Sequence, residues 1–141
     1  MSEESTINIS GRVIGVDSPP YIVAEMSGNH GGNLDRALQI IKAAKEAGAD
    51  AVKLQTYRAD SITIDYDGPE FKIEKGLWAG RTLFDLYGEA ATPWDWHEDL
   101  FSYGRDIGIT VFSSPFDSAA VQLLSDLDAP AYKIASFEIV D

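Results

Sequence analysis

Hydrophobic and polar positions in the first half of the chain alternate between short apolar runs and one amphipathic stretch. Residues 21–25 form an apolar run that predicts a buried strand. Apolar residues then recur at helical spacing over 34–44, after Asn33, a residue type that often caps helix N-termini. Residues 50–56 predict a second strand. Strand, helix and strand in this order, with short connections, predict a parallel βαβ unit.

The same alternation returns in the second half of the chain after a long, less regular segment. Residues 57–91 lack a continuous pattern, although the capping-box spacing that begins at Thr82 predicts a short helix within them. Beyond this segment the pattern predicts a helix that has Thr92 as its N-cap and Pro93 as its first residue and that ends at Gly108. A strand follows over 109–113. A helix capped by Asp117 and a fourth strand over 131–136 complete the predicted order.

Four strands separated by helices predict an α/β fold, and two architectures fit that order: an open doubly wound sheet, or the N-terminal half of a (β/α)8 TIM barrel. A short hairpin is predicted before them, over 6–9 and 12–16. A complete barrel needs about 250 residues, whereas the chain has 141. The barrel interpretation therefore divides the chain into an N-terminal extension, 1–18, and a partial barrel, 19–141, whose C-terminal half is absent.

Composition and charge exclude several functional classes. The chain has 11 basic and 23 acidic residues, a net charge of −12 spread over both halves, so nucleic acid and anionic membrane surfaces are poor partners. The lack of cysteine excludes disulfides, thiolate catalysis and cysteine-ligated zinc. Because the N-terminus is acidic and no apolar run reaches membrane-spanning length, we expect a cytoplasmic protein.

Two lysines interrupt otherwise apolar predicted strands, Lys53 in the second and Lys133 in the fourth. Central strands of parallel sheets are usually apolar on both faces, so a lysine there either reaches solvent or meets an anion in a cavity. The simpler interpretation is that both lie in edge strands and point to water, with Glu25 as a salt-bridge partner. The recurrence of the pattern favours a shared anion site instead, at the strand ends where parallel βα proteins bind ligands.

The two histidines and the glycine-rich turn over 27–32 give weaker signals. The turn lacks the spacings of dinucleotide and phosphate-binding loops, so we interpret it as a tight turn. For His30, within it, a ligand or proton-shuttle role and simple exposure to solvent both stay open. His97 lies on the apolar stripe of a predicted helix and is expected to pack in the core. Two histidines so far apart do not by themselves form a zinc site.

Several motifs occur together along the chain. They are Ile-Val-Ala-Glu over 22–25, Gly-Asn-His-Gly over 28–31, Ala-Lys-Glu-Ala-Gly-Ala-Asp-Ala-Val-Lys-Leu-Gln-Thr over 44–56, Ser-Ser-Pro-Phe over 113–116, and Pro-Ala-Tyr-Lys-Ile-Ala-Ser-Phe-Glu over 130–138. This combination resembles the N-terminal part of the sialic acid synthase family. The segments over 77–87 and 92–97 resemble its pseudaminic acid synthase branch more than its N-acetylneuraminate branch.

The resemblance implies a barrel enzyme that condenses phosphoenolpyruvate with an open-chain N-acylated amino-sugar aldehyde, giving a nine-carbon 2-keto acid and phosphate. It implies a divalent metal, Mn or Mg, whose histidine ligands lie in the later half of the barrel and do not correspond to His30 or His97. It also implies a homodimer, in which a small antifreeze-like C-terminal domain closes over the partner's site. We expect those parts to be absent here, and the chain to be inactive by itself.

The same resemblance implies roles for individual residues. Lys53 and Lys133 would hold the carboxylate and phosphate of phosphoenolpyruvate, with hydrogen bonds from Ser114 and Ser136. Glu25 would be the catalytic acid/base or water-orienting carboxylate. The residues implied to face the sugar are Gln55 and Glu138.

Two other functions stay open on the sequence alone. The chain could be a non-catalytic half-barrel that assembles with itself or with a partner chain through exposed strand edges. It could also belong to another phosphoenolpyruvate-using barrel, such as a 3-deoxy-octulosonate phosphate synthase. That alternative is weaker, because no additional Arg or Lys cluster is visible to bind a second phosphate.

Overall fold

The structure is a computed structural model that describes residues 6–140 of the chain. Residues 1–5, which begin the predicted N-terminal extension, and residue 141 lie outside the described part. The described residues form a short hairpin followed by a three-stranded parallel sheet with helices packed against it.

The predicted N-terminal hairpin is present. Strand β1 (Ile7–Ile9) pairs antiparallel with β2 (Arg12–Ile14). Ser10 and Gly11 connect them with φ angles of 49° and 84°. Two positive φ angles are typical of the type I′ turn that is preferred in two-residue hairpin loops.

The parallel sheet contains β3 (Val23–Glu25), β4 (Ala51–Thr56) and β5 (Thr110–Pro115). Its order is β3-β4-β5, so β4 is the central strand. Strand order therefore follows chain order without a reversal, and right-handed crossovers then place successive helices on the same face of the sheet.

Three helices connect and follow these strands: α1 (Leu34–Glu46), α4 (His97–Ile107) and α5 (Ser118–Asp126). The predicted caps are confirmed, because the side chain of Asn33 accepts a first-turn backbone N–H at 2.8 Å and that of Asp117 does so at 2.6 Å. None of the helices within residues 6–140 has the length and apolar content needed to cross a membrane.

The core lies between these helices and one face of the sheet. Val52 and Leu54 of β4 are fully buried there. Ile41 of α1, Leu100 of α4 and Leu124 of α5 belong to the same cluster. A sheet covered by successive helices on one face, with no reversal of strand order, is part of a (β/α)8 barrel rather than a doubly wound sheet.

The long segment over 57–91 has local structure of its own. It contains α2 (Ala59–Ile62) and α3 (Leu83–Ala90). The short helix predicted after Thr82 is confirmed, since the Thr82 hydroxyl accepts a first-turn backbone N–H at 3.1 Å. Single 3-10 turns lie in and beyond this segment at Pro69–Phe71, Trp94–Trp96 and Glu138–Val140.

The predicted start of α4 is wrong in detail. The chain first makes the 3-10 turn Trp94–Trp96, for which Pro93 is the N-cap, and α4 begins only at His97. Thr92 does not cap the helix, because its buried hydroxyl is hydrogen-bonded to the ring of His30 at 3.3 Å.

The predicted fourth strand over 131–136 is not formed. Tyr132 makes one parallel bridge to Ser113, and the Lys133 N–H donates to the Ser113 carbonyl at 3.1 Å. Beyond this single bridge the segment forms no continuous ladder with β5 among the described residues, so it lacks the repeated pairing that defines a strand. The sheet therefore has three strands rather than four.

Candidate active site

One face of the sheet is polar near its carboxyl-terminal edge. The parallel register places Glu25 beside Lys53 and Gln55 beside Ser114. Because side chains alternate along a strand, these residues point away from the helix-covered face that buries Leu54. In a (β/α)8 barrel that direction is the interior, and the active site lies at the carboxyl ends of the strands. Four of the predicted site residues thus share one surface.

Lys53 and Glu25 form an ion pair on this surface through Nζ and Oε2. The Lys53 side chain is 16% exposed and the Glu25 side chain 43% exposed. The edge-strand interpretation is wrong for Lys53, since β4 is the central strand, although its salt bridge to Glu25 is present. A lysine ammonium has three donors, so one carboxylate partner leaves N–H groups for an anionic ligand.

Ser27, just beyond β3, connects two of these residues. Its backbone N–H donates to Glu25 Oε1 at 3.1 Å, and its hydroxyl donates to Gln55 Oε1 at 3.2 Å. Its φ of 48° is in the left-handed region, which non-glycine residues seldom adopt. The turn therefore fixes the positions of both a carboxylate and an amide at the strand ends.

Ser114 is the buried hydroxyl of this surface. It is 1% exposed, and its Oγ has no hydrogen-bond partner among the described residues. Its neighbour Ser113 points to the other face and is hydrogen-bonded there to Thr56 at 2.6 Å. Buried hydroxyls without a partner are uncommon in native proteins, and a bound ligand is one way to satisfy them.

A cavity of about 430 Å³ opens beside these residues. Its wall includes both residues predicted to face the sugar, Gln55 and Glu138. One carboxylate oxygen of Glu138, Oε2, is buried without a partner in the described part of the chain. The other lining residues are Tyr57, Ser61, Ile62, Tyr87, Phe116 and Phe137.

Aromatic rings form one side of this cavity around Tyr57. The ring of Tyr57 makes edge-to-face contacts with Tyr87 at 5.9 Å and with Phe116 at 5.5 Å between centroids. Burial, and to a lesser degree the neighbouring Tyr87, raises the pKa of the Tyr57 phenol, so it stays neutral at physiological pH. Among the described residues, no lysine or arginine lines this cavity. Such a wall suits an uncharged ligand with apolar groups.

The remaining two predicted site residues are less closely placed. Lys133 is exposed beside β5, and the bridge of Tyr132 to Ser113 puts it next to Ser114 in register. Ser136 is exposed as well. Among the described residues neither side chain has a hydrogen bond or ion pair with Lys53 or Glu25. The exposure of Lys133 agrees with the simpler interpretation that it points to water, and its role in a shared anion site stays a prediction.

His97 is a core residue, as predicted. Its Nε2 is 2.8 Å from the Thr56 hydroxyl, which is itself bonded to Ser113, and its Nδ1 is 3.1 Å from the Pro93 carbonyl. Burial lowers the pKa of His97, and the hydrogen bonds of its ring to backbone groups only partly offset this lowering. The neutral ring therefore joins α4 to β4 and β5 on the helix side of the sheet.

His30 is buried, so the alternative that it is exposed to solvent is excluded. Its Nδ1 accepts the Gly32 N–H at 3.1 Å, its Nε2 is 3.3 Å from the Thr92 hydroxyl, and its ring makes an edge contact with Trp96. Desolvation lowers the pKa of His30. The histidine joins the glycine-rich turn to the segment before α4.

Sequence reasoning missed three residues of this region: Ser27, Tyr57 and Tyr87. An aromatic residue directly after a strand, as Tyr57 is after β4, is a signal that could have found one of them. Tyr87 reaches the cavity through the placement of α3, which the local pattern does not specify. The role of Ser27 depends on a left-handed backbone conformation, which the presence of a serine in the sequence does not predict.

No metal site is assembled from the residues described. Among residues 6–140 there is no group of three or more His, Asp or Glu side chains that could hold a metal ion. His30 and His97 are engaged in separate hydrogen bonds. The residues described therefore supply no ligand set for the divalent metal that the resemblance implies.

A larger cavity, of about 460 Å³, lies at the opposite, amino-terminal end of the strands. Three of its charged side chains have partners: Arg12 pairs with Asp50 at 3.4 Å, and Lys45 donates to the Gly108 carbonyl at 2.7 Å. The backbone N–H of Ile22 lowers the pKa of Asp50. None of the predicted site residues lines this cavity, so it is not the candidate site.

Comparison with known proteins gives consistent matches. The family model described as "NeuB family" matches residues 40–141. The chain is 50% identical over 125 residues to the pseudaminic acid synthase of Campylobacter jejuni and 49% identical over 123 residues to that of Helicobacter pylori, matches that include 89% and 87% of this chain. It superimposes with a TM-score of 0.79 and 27% identity on a solved N-acetylneuraminic acid (sialic acid) synthetase from Leptospira borgpetersenii.

These matches include only part of each relative. The chain spans 36% of the length of each of the two pseudaminic acid synthases. The superposition on the Leptospira protein includes 97% of this chain and 43% of that protein. The similarity therefore concerns only the part of those proteins that corresponds to this chain, with its sheet, its cavity and the surface of Glu25, Lys53 and Ser114.

Proposed function

Since the chain belongs to the NeuB family, we propose that it contributes the phosphoenolpyruvate-binding strands of a pseudaminic or related nonulosonic acid synthase. The observation that supports this most directly is the pairing of Lys53 with Glu25 on the sheet face that also carries the Ser114 hydroxyl, which is buried without a partner among the described residues. A largely buried cation on the same surface as such a hydroxyl can bind an anion, and phosphoenolpyruvate has a carboxylate and a phosphate.

In the proposed reaction C3 of phosphoenolpyruvate attacks the sugar aldehyde, and a carbon–carbon bond forms. Water adds at C2, and the C2–O bond to phosphate then breaks to give the 2-keto acid and inorganic phosphate. Lys53 would neutralise anionic oxygens of phosphoenolpyruvate, with Ser114 as a hydrogen-bond donor. Glu25, held by Lys53 and by the Ser27 N–H, would orient the water or transfer its proton. Lys133 and Ser136 are proposed to complete the phosphoenolpyruvate site.

The cavity supports an uncharged sugar as the second substrate. Gln55 and Glu138 can hydrogen-bond polar groups of the sugar, and the rings around Tyr57 can pack against an N-acyl methyl group. A phosphorylated sugar, as a 3-deoxy-octulosonate phosphate synthase would use, is disfavoured because none of the cavity-lining residues within 6–140 is a lysine or arginine. The homodimer remains a proposal that only the resemblance supports.

The test is phosphate release from phosphoenolpyruvate by the full-length protein with N-acylated hexoses and added Mn²⁺ or Mg²⁺. We expect Lys53→Ala to lower kcat/KM for phosphoenolpyruvate by about 100-fold, the loss of one buried charge-assisted contact. Lys42→Ala is the matched control, because Lys42 is an exposed lysine of α1 paired with Glu46. Lack of activity with every N-acylated sugar, or full activity of Lys53→Ala, would contradict the proposal.

A further inference from the structure

We propose that Ser27 is a positioning residue that holds the Gln55 side-chain amide at the wall of the cavity, where it can bind a polar group of the sugar. This inference rests on the proposed function for the identity of the ligand as a sugar. Its structural basis is the hydrogen bond from the Ser27 hydroxyl to Gln55 Oε1, 3.2 Å long and partly buried.

The hydrogen bond leaves Gln55 with donors toward the cavity. With Oε1 accepting from Ser27, the two N–H groups of Gln55 Nε2 have no acceptor among residues 6–140, and Gln55 lines the cavity. The amide therefore offers hydrogen-bond donors to a ligand. The atom it would bind is an acceptor, such as the carbonyl oxygen of an N-acyl group or a sugar hydroxyl oxygen.

Glu138 adds an acceptor to the same wall. Its buried Oε2 has no partner in the described part of the chain and lies in the wall of the same cavity. The cavity thus has an amide and a carboxylate oxygen that can both bind polar groups of a sugar. The hydrogen bond to Ser27 holds the amide at this wall, and its loss would let the Gln55 side chain move away.

The backbone of Ser27 points to a functional reason for a serine. Three residues of the turn have left-handed φ angles: Ser27 at 48°, Gly31 at 56° and Gly32 at 69°. Glycine adopts this conformation without steric cost, whereas a side chain at Ser27 is strained. A glycine at that position would relieve the strain but would remove the hydroxyl that holds Gln55.

The experiment compares Ser27→Ala with Ser27→Gly in the full-length protein. Both variants lose the hydroxyl and keep the backbone N–H that donates to Glu25. We expect both to raise KM for the sugar about fivefold, as the loss of one neutral hydrogen bond predicts. KM for phosphoenolpyruvate and kcat should change less than twofold. Ser27→Gly should also unfold at a higher denaturant concentration than Ser27→Ala, because only glycine relieves the strain.

This pair separates positioning from structural damage. If the effect were structural, the kinetics of the two variants would follow their stabilities, and Ser27→Gly would resemble the wild type. In the double variant with Gln55→Ala, the sugar KM should equal that of Gln55→Ala alone, since Ser27 acts through that amide. A wild-type sugar KM in Ser27→Gly, or additive effects in the double variant, would overturn the inference.

The failure of the proposed function would give a different result. If the wild-type protein condensed phosphoenolpyruvate with no N-acylated sugar, the reaction would be wrong while the Ser27–Gln55 contact was still measurable. The denaturation midpoints of the two single variants and the double variant then serve as the readout. Non-additive midpoints support the fixed amide, and strictly additive midpoints rule it out.

Discussion

At the scale of single residues, Ser113 and Ser114 are neighbours in β5 whose hydroxyls lie on opposite faces of the sheet. The Ser113 hydroxyl is buried and bonded to Thr56, whereas the Ser114 hydroxyl is buried with no partner among the described residues. A hydrogen bond stabilises the fold, but an unsatisfied buried hydroxyl does not. Stability and ligand binding are thus expected to depend on different members of the pair.

For the Ser114→Ala variant of the full-length protein we expect no loss of stability in urea, because no internal hydrogen bond is removed. KM for phosphoenolpyruvate should rise about tenfold, since a donor to the ligand is lost. Ser113→Ala is the matched control: it should lose about 1–2 kcal/mol of unfolding free energy and leave KM unchanged. Equal destabilisation by both substitutions, with no effect on KM, would remove Ser114 from the site.

At the scale of elements, α4 lies against β5 at Gly104. A Cβ atom placed there would overlap the Val111 side chain and lie 3.1 Å from the Ile109 carbonyl oxygen. The helix can approach the strand this closely only because the residue is glycine. The absence of a side chain is therefore part of the packing between these two elements.

We expect Gly104→Ala to lower the unfolding free energy by about 1–3 kcal/mol, the usual cost of overpacking a core. Gly88→Ala in α3 is the control, because a Cβ atom there meets nothing within 4 Å. That substitution should raise the unfolding free energy by about 0.5–1 kcal/mol through better helix propensity. Urea unfolding of the two variants measures both changes, and a neutral Gly104→Ala would show that α4 can move away from β5.

The elements also show what local patterns specify. The residue pattern over 50–56 correctly predicted the strand that contains Lys53, and the residue types of Asn33 and Asp117 identified the starts of α1 and α5. These are local properties of the chain. The prediction of the fourth strand failed because a strand needs a continuous ladder of hydrogen bonds, and this segment makes only one bridge to β5. That pairing depends on packing between distant parts of the chain, which a local pattern does not specify.

The candidate site was likewise predictable where it depends on local pattern, and not where it depends on distant contacts. Local pattern and family resemblance identified Glu25 and Lys53, but their ion pair depends on strand register. The burial of His30 depends on Thr92 and Trp96, more than 60 positions away along the chain. Contacts at that separation have no signature in a local window of sequence.

At the scale of the whole molecule, two buried neutral histidines connect separate parts of the structure. Burial lowers the pKa of both His30 and His97, so the folded protein binds their protons less readily than the unfolded chain. Unfolded histidines titrate near pH 6.5. Between that pH and the lower folded values, the unfolded state binds more protons, so stability decreases as pH falls.

We therefore expect the urea midpoint of the full-length protein to fall from pH 7.5 to pH 5.5, a window above the titration of most carboxylates. His97→Gln should make the midpoint less dependent on pH, since one of the two groups no longer titrates. It should also lower stability at pH 7.5, because His97 is bonded to Thr56 and to Pro93. A midpoint independent of pH over this window would contradict neutral burial of the two rings.

Both ends of the long segment over 57–91 are anchored by buried hydrogen bonds. Thr56 immediately precedes it and Thr92 immediately follows it, and both are buried and hydrogen-bonded to a histidine. Insertions, deletions or exchanges inside such a segment leave its two attachment points in place. Evolution, or an engineer making chimeras, can therefore replace the part that supplies Tyr57 and Tyr87 while β4 and α4 keep their positions.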